Sequence, residues 1–240
     1  MSVLSSMKII NVCSGKGGVG KTTVAVNLAA ALHSLNKRVV IVDCNLTTAH
    51  LGVMFNIYSE KTLNGFLNKE HKLEDAIHVH SSGLHMVPAS IELSELPESA
   101  ELKQALQETF KHYDYVMLDS APGIGRESLI AMKACDETVL VANPYVPSVV
   151  DSLKVKNVAK GLGVYNAGIV LNRVRGRDYE ITPHEVFGFT ELHVLGSIPE
   201  DEAVLKALNE RTIPFFDKTP SSSAFFELAH KIAGIPYYKR

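Results

Sequence analysis

A glycine-rich segment near the amino terminus has the residue types and the spacing for phosphate chemistry. Gly15–Thr22 matches G-x-x-x-x-G-K-[ST], the signature of a phosphate-binding loop. Glycines allow backbone conformations that a side chain would forbid, so successive N–H groups can turn inward on phosphate oxygens. Lys21 of this motif would reach the terminal phosphates, and the hydroxyl of Thr22 would bind Mg²⁺. The segment therefore predicts a site for a magnesium-bound triphosphate.

The residues on either side of the loop have the order that this motif requires. Lys8–Cys13 is short and mostly apolar, as in a strand buried in a parallel sheet. After the loop, apolar residues recur at helical spacing at Val24, Leu28, Leu32 and Leu35. The positive end of this helix would face the same anion. The context favours a phosphate site over the alternative, a glycine-rich turn without a ligand.

A dinucleotide-binding site is a second alternative. Gly15, Gly17 and Gly20 also fit G-x-G-x-x-G, and Asp43 stands where that fingerprint expects an acidic residue. That fingerprint would imply a dehydrogenase. The Lys21-Thr22 pair, however, has no role in binding a pyrophosphate alone, so the triphosphate site is favoured.

A second motif, Tyr115–Gly123, predicts part of a magnesium site. Its apolar strand ends at Asp119, and a carboxylate at the carboxyl end of a parallel strand can hold Mg²⁺ through water. The sequence Ser-Ala-Pro-Gly then predicts a flexible turn, in which the N–H of Gly123 would sense a γ-phosphate. The alternative is that Asp119 merely caps a helix.

Strands and helices alternate along the rest of the chain. Further strands are predicted at Arg38–Asp43, Leu84–Pro88, Thr138–Asn143, Gly168–Asn172 and Val194–Ile198. Helices are predicted at Glu98–Lys111, Gly125–Lys133, Pro147–Lys160 and Glu200–Arg211, and mobile loops at 58–73 and 173–183. The alternation predicts a three-layer α/β fold with a mostly parallel sheet flanked by helices. Ligands of such sheets bind beyond the carboxyl ends of the strands, where Asp43, Asp119 and Asn172 all fall.

The composition limits the class of protein. With 240 residues, 46% of them hydrophobic, the chain is expected to form one phosphate-loop domain over residues 1–240. A formal net charge of −2 makes nucleic acid an unlikely partner. The three cysteines lack C-x-x-C spacing, which argues against an iron–sulfur or zinc site and for a reducing cytosol. No apolar run approaches the length of a membrane span, so a soluble cytoplasmic protein is expected.

These motifs and several other segments resemble the deviant phosphate-loop ATPases typified by MinD and ParA. The loop of that family reads K-G-G-x-G-K-[ST], which Lys16–Thr22 matches. The resemblance continues through Asp119–Gly123, Asn143-Pro144, Val170–Arg173 and Ile198–Asp201, and so covers nearly the whole chain. It implies a P-loop NTPase fold of the deviant Walker A type, with ATP and Mg²⁺ as its ligands.

The resemblance also implies roles for individual residues. Phosphate contacts would come from Gly15, Lys16, Gly17, Gly18, Val19, Gly20, Lys21, Thr22, Thr23 and Gly123. Magnesium would be held by Thr22, with outer-shell help from Asp43 and Asp119. Asn172 would bind the adenine edge, which implies ATP rather than GTP, and Pro199 would lie beside the base.

Lys16 has the most distinctive implied role. It would cross a dimer interface to the partner's nucleotide and act there as a catalytic group together with Lys21. A cation inserted in this way accelerates phosphoryl transfer by roughly 10³–10⁵ when it acts like an arginine finger. Hydrolysis would then depend on dimer formation. The alternative is a solvent-facing Lys16 with no role.

One position departs from the family pattern. The second strand of the family usually ends D-x-D, whereas this chain has Asp43-Cys44-Asn45. In the family the second aspartate orients the attacking water. Asn45, as a catalytic residue, would still hydrogen-bond a water, but it is uncharged and a poor proton acceptor. The prediction is intact ATP binding with slow hydrolysis, and the alternative is a harmless variation in which another group places the water.

The function implied by the resemblance is an ATP-dependent dimerisation switch in spatial positioning or regulation, such as the placement of a division site. A homodimer would form with ATP, and a protein partner would read the ATP state. One alternative is an ATP-sensing scaffold with negligible hydrolysis. Another is a DNA-partitioning ATPase like ParA, which the balanced charge disfavours.

Membrane contact has weak support in the carboxyl-terminal region. MinD-like proteins often end in a short amphipathic helix that grips lipid. Here an apolar stripe at helical spacing follows Ser221–Ser223 and consists of Phe225, Leu228, Ala229 and Ile232. This stripe is expected to pack on the core, and the short proline-containing segment beyond it disfavours a membrane helix. A peripheral position at the inner face of the cell membrane is the alternative to a purely cytoplasmic one.

Overall fold

The computed structural model describes residues 7–90 and 99–237, and within them one sheet dominates the fold. Its strands are β1 (Lys8–Cys13), β2 (Val39–Cys44), β3 (His78–Val79), β4 (His85–Val87), β5 (Tyr115–Ser120), β6 (Glu137–Ala142), β7 (Tyr165–Val174) and β8 (Val194–Pro199). Their spatial order is β3-β4-β2-β5-β1-β6-β7-β8. Neighbouring strands pair in parallel except β3 and β4, which are antiparallel.

Helices follow most of the strands. They are α1 (Lys21–Ser34), α2 (Leu51–Met54), α3 (Leu63–Leu67), α4 (Ser99–Thr109), α5 (Arg126–Ala134), α6 (Val146–Gly161), α7 (Pro183–Thr190), α8 (Glu202–Glu210) and α9 (Pro220–Ala233). Helices α1 and α9 pack on each other and on one face of the sheet. Helices α4 to α7 cover the other face.

Strand β1 shows how the two faces are built. Ile10 and Val12 point into the core beneath α1, whereas Ile9 and Cys13 belong to the cores on the opposite side. Alternate residues of a strand face opposite sides of the sheet, so a strand buried on both faces is apolar almost throughout. The three-layer α/β fold predicted from the sequence is confirmed.

The last helix packs on the core, as predicted. Helix α9 begins at Pro220 behind a capping box between Thr219 and Ser222. Phe225 and Leu228 are fully buried against the α1 side of the sheet. Its apolar stripe is therefore used within the domain.

One helix lies where the sequence predicts a loop, and another, which the sequence analysis did not predict, starts at the last residue of the other predicted loop. Helix α3 falls within 58–73, and α7 begins at the end of 173–183. Helix α7 is short and contains a glycine, so its apolar periodicity is weak, but a capping box between Thr182 and Glu185 fixes its start. The first residue of the predicted helix Glu98–Lys111 lies outside the described residues.

Candidate functional site

The phosphate-binding loop joins β1 to α1, and two of its glycines are required by close packing. Gly20 has a φ of 90°, and a Cβ there would collide with the side-chain amide of Asn172. A Cβ on Gly15 would overlap the backbone of Asp151 in α6. The loop is therefore packed between α6 and the end of β7, as a preformed phosphate cradle requires.

Lys21, in the first turn of α1, is buried and paired. Its Nζ lies 2.6 Å from Oδ1 of Asp119, and the two side chains are 8% and 2% exposed. Burial of an ammonium is costly unless a carboxylate compensates it, and Asp119 supplies that charge. The pair holds Lys21 at the carboxyl edge of the sheet, beside the loop.

The two aspartates predicted to serve magnesium are neighbours across β2 and β5. Asp43 and Asp119 are partners in the strand register, and both are buried. Asp43 Oδ1 accepts from the N–H of Asn45 at 3.0 Å, and Oδ2 accepts from the N–H of Leu51 at 3.1 Å. Burial, followed by the nearby Asp119 charge, raises the pKa of Asp43 from 3.8 to about 7, although these N–H groups and Lys21 oppose the shift. The site is thus short of positive charge when both carboxylates are ionised.

Asn45 is buried and closes a local loop with Thr48. Its Nδ2 donates to the backbone carbonyl of Thr48 at 2.8 Å, and the Thr48 hydroxyl donates to Asn45 Oδ1 at 2.8 Å. An aspartate here would accept from the hydroxyl but would have no proton to donate to the carbonyl. The amide at the position of the predicted catalytic residue therefore has a structural partner that the sequence analysis did not identify.

Asn172, predicted to bind the base, is buried at the end of β7 and contacts the loop. Its Nδ2 donates to the carbonyl of Val19 at 2.8 Å. Asn143, just beyond β6, donates to the carbonyls of Asn172 at 3.0 Å and Val19 at 3.4 Å. These two amides tie the ends of β6 and β7 to the loop. Asn143 was not among the predicted site residues, although the Asn143-Pro144 segment was a signal for it.

A pocket of about 830 Å³ lies beside the first turn of α1. Three of the predicted nucleotide-binding residues line it: Thr23, Asn172 and Pro199. On its rim Arg175 forms an ion pair with Glu200. Its volume is within the usual range for small-molecule sites, and it lies next to the phosphate loop. The predicted base-binding residues are thus brought together on one side of the loop.

Gly123 and Thr22 lie at the edge of the loop. Gly123 has a φ of 78°, and its N–H donates to the carbonyl of Ser14 at 2.8 Å. The turn after β5 is therefore tied to the loop, and in this structure the N–H of Gly123 is engaged by protein. Thr22 is half-buried in the first turn of α1, and its contact with Mg²⁺ stays a prediction.

Lys16 has surroundings unlike those of Lys21. It is half-buried on the rim of the loop, and its Nζ lies 4.9 Å from the ring centroid of Tyr145, which precedes α6. The hydroxyl of Ser14 donates to the Lys16 carbonyl at 2.9 Å and holds the backbone in place. No sequence pattern pointed to Tyr145, because the contact joins distant parts of the chain.

The residues present fit a magnesium-bound nucleoside triphosphate. The glycine positions leave a cradle that a Cβ would fill, and the adjoining groups supply the oxygen ligands that Mg²⁺ prefers. The predicted magnesium site, which stays a prediction, is the hydroxyl of Thr22 with outer-shell help from the carboxylates of Asp43 and Asp119. The negative charge of these two buried carboxylates is one that a divalent cation would offset.

Other chemistries find little support in the part of the chain that the structure describes. Within residues 7–90 and 99–237 there is no group of three or more His, Cys, Asp or Glu side chains placed to hold a metal ion. The cysteines Cys13, Cys44 and Cys135 are buried and unpaired. Among the described helices, none is both long and apolar enough to cross a membrane.

Comparisons with known proteins show which family the chain belongs to. A family profile described as an AAA domain matches residues 7–152. The uncharacterized ATP-binding protein MJ0169 of Methanocaldococcus jannaschii is 36% identical over 96% of this chain and 89% of that protein. The antiactivator FleN of Pseudomonas aeruginosa is 30% identical over 98% of this chain and 90% of its own. The septum site-determining protein MinD of Pyrococcus horikoshii, solved with Mg-ADP, is 29% identical with a TM-score of 0.87, covering 94% of this chain and 96% of that one.

The parallel sheet, the loop at the end of β1 and the paired aspartates define a P-loop nucleotide-binding protein. Within that class the relatives are more specific. This chain belongs to the family of MinD/ParA-like ATPases.

Proposed function

We propose that this chain is an ATP-dependent dimerisation switch that hydrolyses ATP slowly and regulates or positions another protein. The observation that carries the proposal is the different placement of the two lysines in one loop. Lys21 is buried on Asp119, inside its own site, whereas Lys16 lies on the rim against Tyr145. A lysine that serves its own nucleotide belongs inside the site, and a lysine that serves a second subunit's nucleotide has to be able to leave the surface.

Binding of ATP would rearrange the charges at the carboxyl edge of the sheet. The loop N–H groups and the start of α1 would receive the phosphates. Lys21 would exchange Asp119 for the terminal phosphates, and the base would enter the pocket beside Asn172 and Pro199. Magnesium, held by Thr22 with Asp43 and Asp119, would supply positive charge against the developing charge of the phosphoryl group.

Slow hydrolysis is proposed from the surroundings of Asn45. Its amide nitrogen and oxygen both have partners in Thr48. The two contacts hold the amide in place and leave it one proton and one lone pair for a water, but an amide has no useful basicity at neutral pH. Catalysis would then rest on charge stabilisation by Lys16 and Lys21, which is the larger contribution in phosphoryl transfer.

The segment after β2 is the element proposed to change with the nucleotide. It winds around Asp43, whose carboxylate accepts backbone N–H groups from Asn45, His50 and Leu51. A magnesium ion would be attracted to the same carboxylate. Nucleotide binding and the conformation of this segment are therefore coupled through one side chain, which provides a way to expose a partner surface only in the ATP state.

A regulatory protein partner is supported by the relative FleN, whose name describes an antiactivator. The competing proposal is a scaffold that senses ATP and barely hydrolyses it, and the Asn45–Thr48 contact favours it. The two proposals differ in phosphate release: a switch releases phosphate when it dimerises, and a scaffold does not.

The deciding experiment is size-exclusion chromatography with light scattering on the full chain. We expect a monomer without nucleotide and with Mg-ADP, and a dimer with Mg-ATP, with phosphate release measured on the same samples. Lys16→Ala should bind ATP and stay monomeric, whereas the control Lys133→Ala, an exposed lysine of α5, should behave as wild type. A wild-type monomer in all three states would contradict the switch.

A further inference from the structure

We infer that Tyr145 is the resting site of Lys16 in the single subunit, and that dimer formation has to take Lys16 off this ring. Tyr145 is then a positioning residue that sets how readily two subunits join. The inference rests on the proposed function, because Lys16 has a second binding partner only if it contacts the nucleotide of the other subunit.

The backbone is fixed on the Lys16 side of the contact. Ser14 donates its hydroxyl proton to the Lys16 carbonyl, and Gly15 packs so closely on Asp151 of α6 that no Cβ fits between them. The loop therefore presents Lys16 to the start of α6 at a constant position. Only the flexible side chain of Lys16 can therefore move between the Tyr145 ring and solvent.

The ring is fixed as well. Tyr145 precedes α6, and its backbone carbonyl accepts from the N–H groups of Ser148 and Val149. Its hydroxyl donates to Oδ1 of Asn143 at 3.3 Å, while Nδ2 of Asn143 donates to the loop carbonyl of Val19. The tyrosine is thus connected by hydrogen bonds to the loop that carries Lys16.

The ring is the partner that the structure gives to the Lys16 ammonium. In residues 7–90 and 99–237 no ion pair joins Lys16 to a carboxylate. Asp151, the nearest acidic residue in the packing of Gly15, pairs with Lys154 at 3.5 Å. A cation over an aromatic face is attracted by the ring quadrupole without any carboxylate.

The two contacts exclude each other, because the Lys16 ammonium cannot lie on Tyr145 of the same subunit and on the phosphates bound by the partner subunit at the same time. Tyr145 is 43% exposed, so the contact belongs at the weak end of the cation–π range. Each contact of that strength lowers the population of released Lys16 by about twofold to fivefold. A symmetric dimer breaks two of them, so the ring weakens dimerisation by roughly fivefold to thirtyfold.

Four variants separate the ring from other effects of the residue. Tyr145→Leu and Tyr145→Gln remove the ring, and either one suffices if the other folds poorly. Tyr145→Phe keeps the ring and loses only the hydrogen bond to Asn143. Tyr165→Leu is the matched control, because Tyr165 is an exposed tyrosine at the opposite end of the sheet, at the start of β7.

The contact itself is measured first, on the nucleotide-free chain. Lysines are reductively methylated with ¹³C, and Lys16→Arg identifies the Lys16 signal. We expect an upfield ring-current shift of that signal in wild type, Tyr145→Phe and Tyr165→Leu, and its loss in Tyr145→Leu and Tyr145→Gln. A merely structural role of Tyr145 would not move this signal, and a signal that is the same with and without the ring overturns the inference.

Dimerisation is measured next, by sedimentation with Mg²⁺ and an ATP analogue that carries a β,γ-imido bridge. The ring-free variants should dimerise at roughly fivefold to thirtyfold lower protein concentration than wild type, and Tyr145→Phe and Tyr165→Leu at the wild-type concentration. Unchanged or weaker dimerisation of the ring-free variants overturns the inference. A wild type that never dimerises overturns the proposed function instead, and the methyl signal still decides whether Lys16 rests on Tyr145.

Discussion

The inner part of the phosphate loop, at Lys21, and its outer part, at Lys16, hold their lysines by different interactions. Lys21 is buried and bound to Asp119 by charge, in surroundings where water screens little. Lys16 is on the rim and bound to Tyr145 by a weak cation–π contact. Breaking the first contact leaves a buried carboxylate without its partner, whereas breaking the second costs little. Under the proposed function, this difference would let one loop bind a nucleotide firmly and keep one lysine available for a second subunit.

The largest expected effect comes from Lys21→Ala, which tests the inner contact. Removal of the ammonium leaves Asp119 buried beside Asp43 without compensation, so the free energy of unfolding should fall by about 3–5 kcal/mol. ATP binding should be lost at the same time. Urea unfolding and calorimetry on the nucleotide-free chain measure both, with Lys133→Ala as the exposed-lysine control. Full stability in Lys21→Ala would contradict a buried charge pair between Lys21 and Asp119.

Lys16→Ala tests the outer contact and should separate catalysis from binding. We expect ATP hydrolysis to fall by about 10³ or more, because a cation on the transferring phosphate is lost. The affinity of the monomer for ATP and the free energy of unfolding should stay near wild type, since Lys16 is half-exposed. Phosphate release and urea unfolding provide the two readouts. Equal losses in both lysine variants would remove the distinction between the two parts of the loop.

The pH dependence of stability tests the charge at the inner part. The pKa of Asp43 is raised to about 7 in the folded chain from 3.8, so the folded state binds the extra proton between these values. Stability of the nucleotide-free chain should therefore fall as pH rises from about 4 to 7, by at most about 1.4 kcal/mol per pH unit from this group, and then level off.

The contribution of Asp43 is isolated by a difference curve. Unfolding of wild type and Asp43→Asn is compared at each pH, with the exposed Asp217→Asn as control. Between about pH 4 and 7, the free energy of unfolding should fall more steeply in wild type than in Asp43→Asn. The Asp217→Asn control should have the same slope as wild type. Parallel wild-type and Asp43→Asn curves would show that the Asp43 carboxyl titrates normally.

The smallest expected effect comes from Asn45→Asp, which adds a water-orienting carboxylate next to the inner part. Turnover should rise by about tenfold, because a charged acceptor replaces an amide. The variant also loses the donor to the Thr48 carbonyl, so the free energy of unfolding should fall by about 1 kcal/mol. Steady-state phosphate release measures the first effect, and a rate equal to wild type would refute the slow-hydrolysis proposal.

Local signals in the sequence account for the inner part of the loop and for most of the sheet. The pattern Gly15–Thr22 and the apolar strands ending at Asp43 and Asp119 were readable because each lies within a few consecutive residues. The sequence predicted that both aspartates lie at the carboxyl edge of the sheet, and the structure adds that they are partners in the strand register. Helix α7 was missed because its periodicity is weak, although its Thr182–Glu185 capping box was a usable signal.

Contacts between distant segments could not be predicted from the sequence in the same way. The Lys16–Tyr145 contact joins the loop after β1 to the start of α6, and the amides of Asn143 and Asn172 meet Val19 only after β6 and β7 are placed. The bond between Asn45 and Thr48 is local, but it depends on how the segment after β2 winds around Asp43. Residue types and spacing therefore identify the phosphate chemistry, because that chemistry is carried by consecutive backbone amides. The resting place of Lys16 was decided by the tertiary structure alone, because a weak contact between two surface side chains exists only where the fold brings them together.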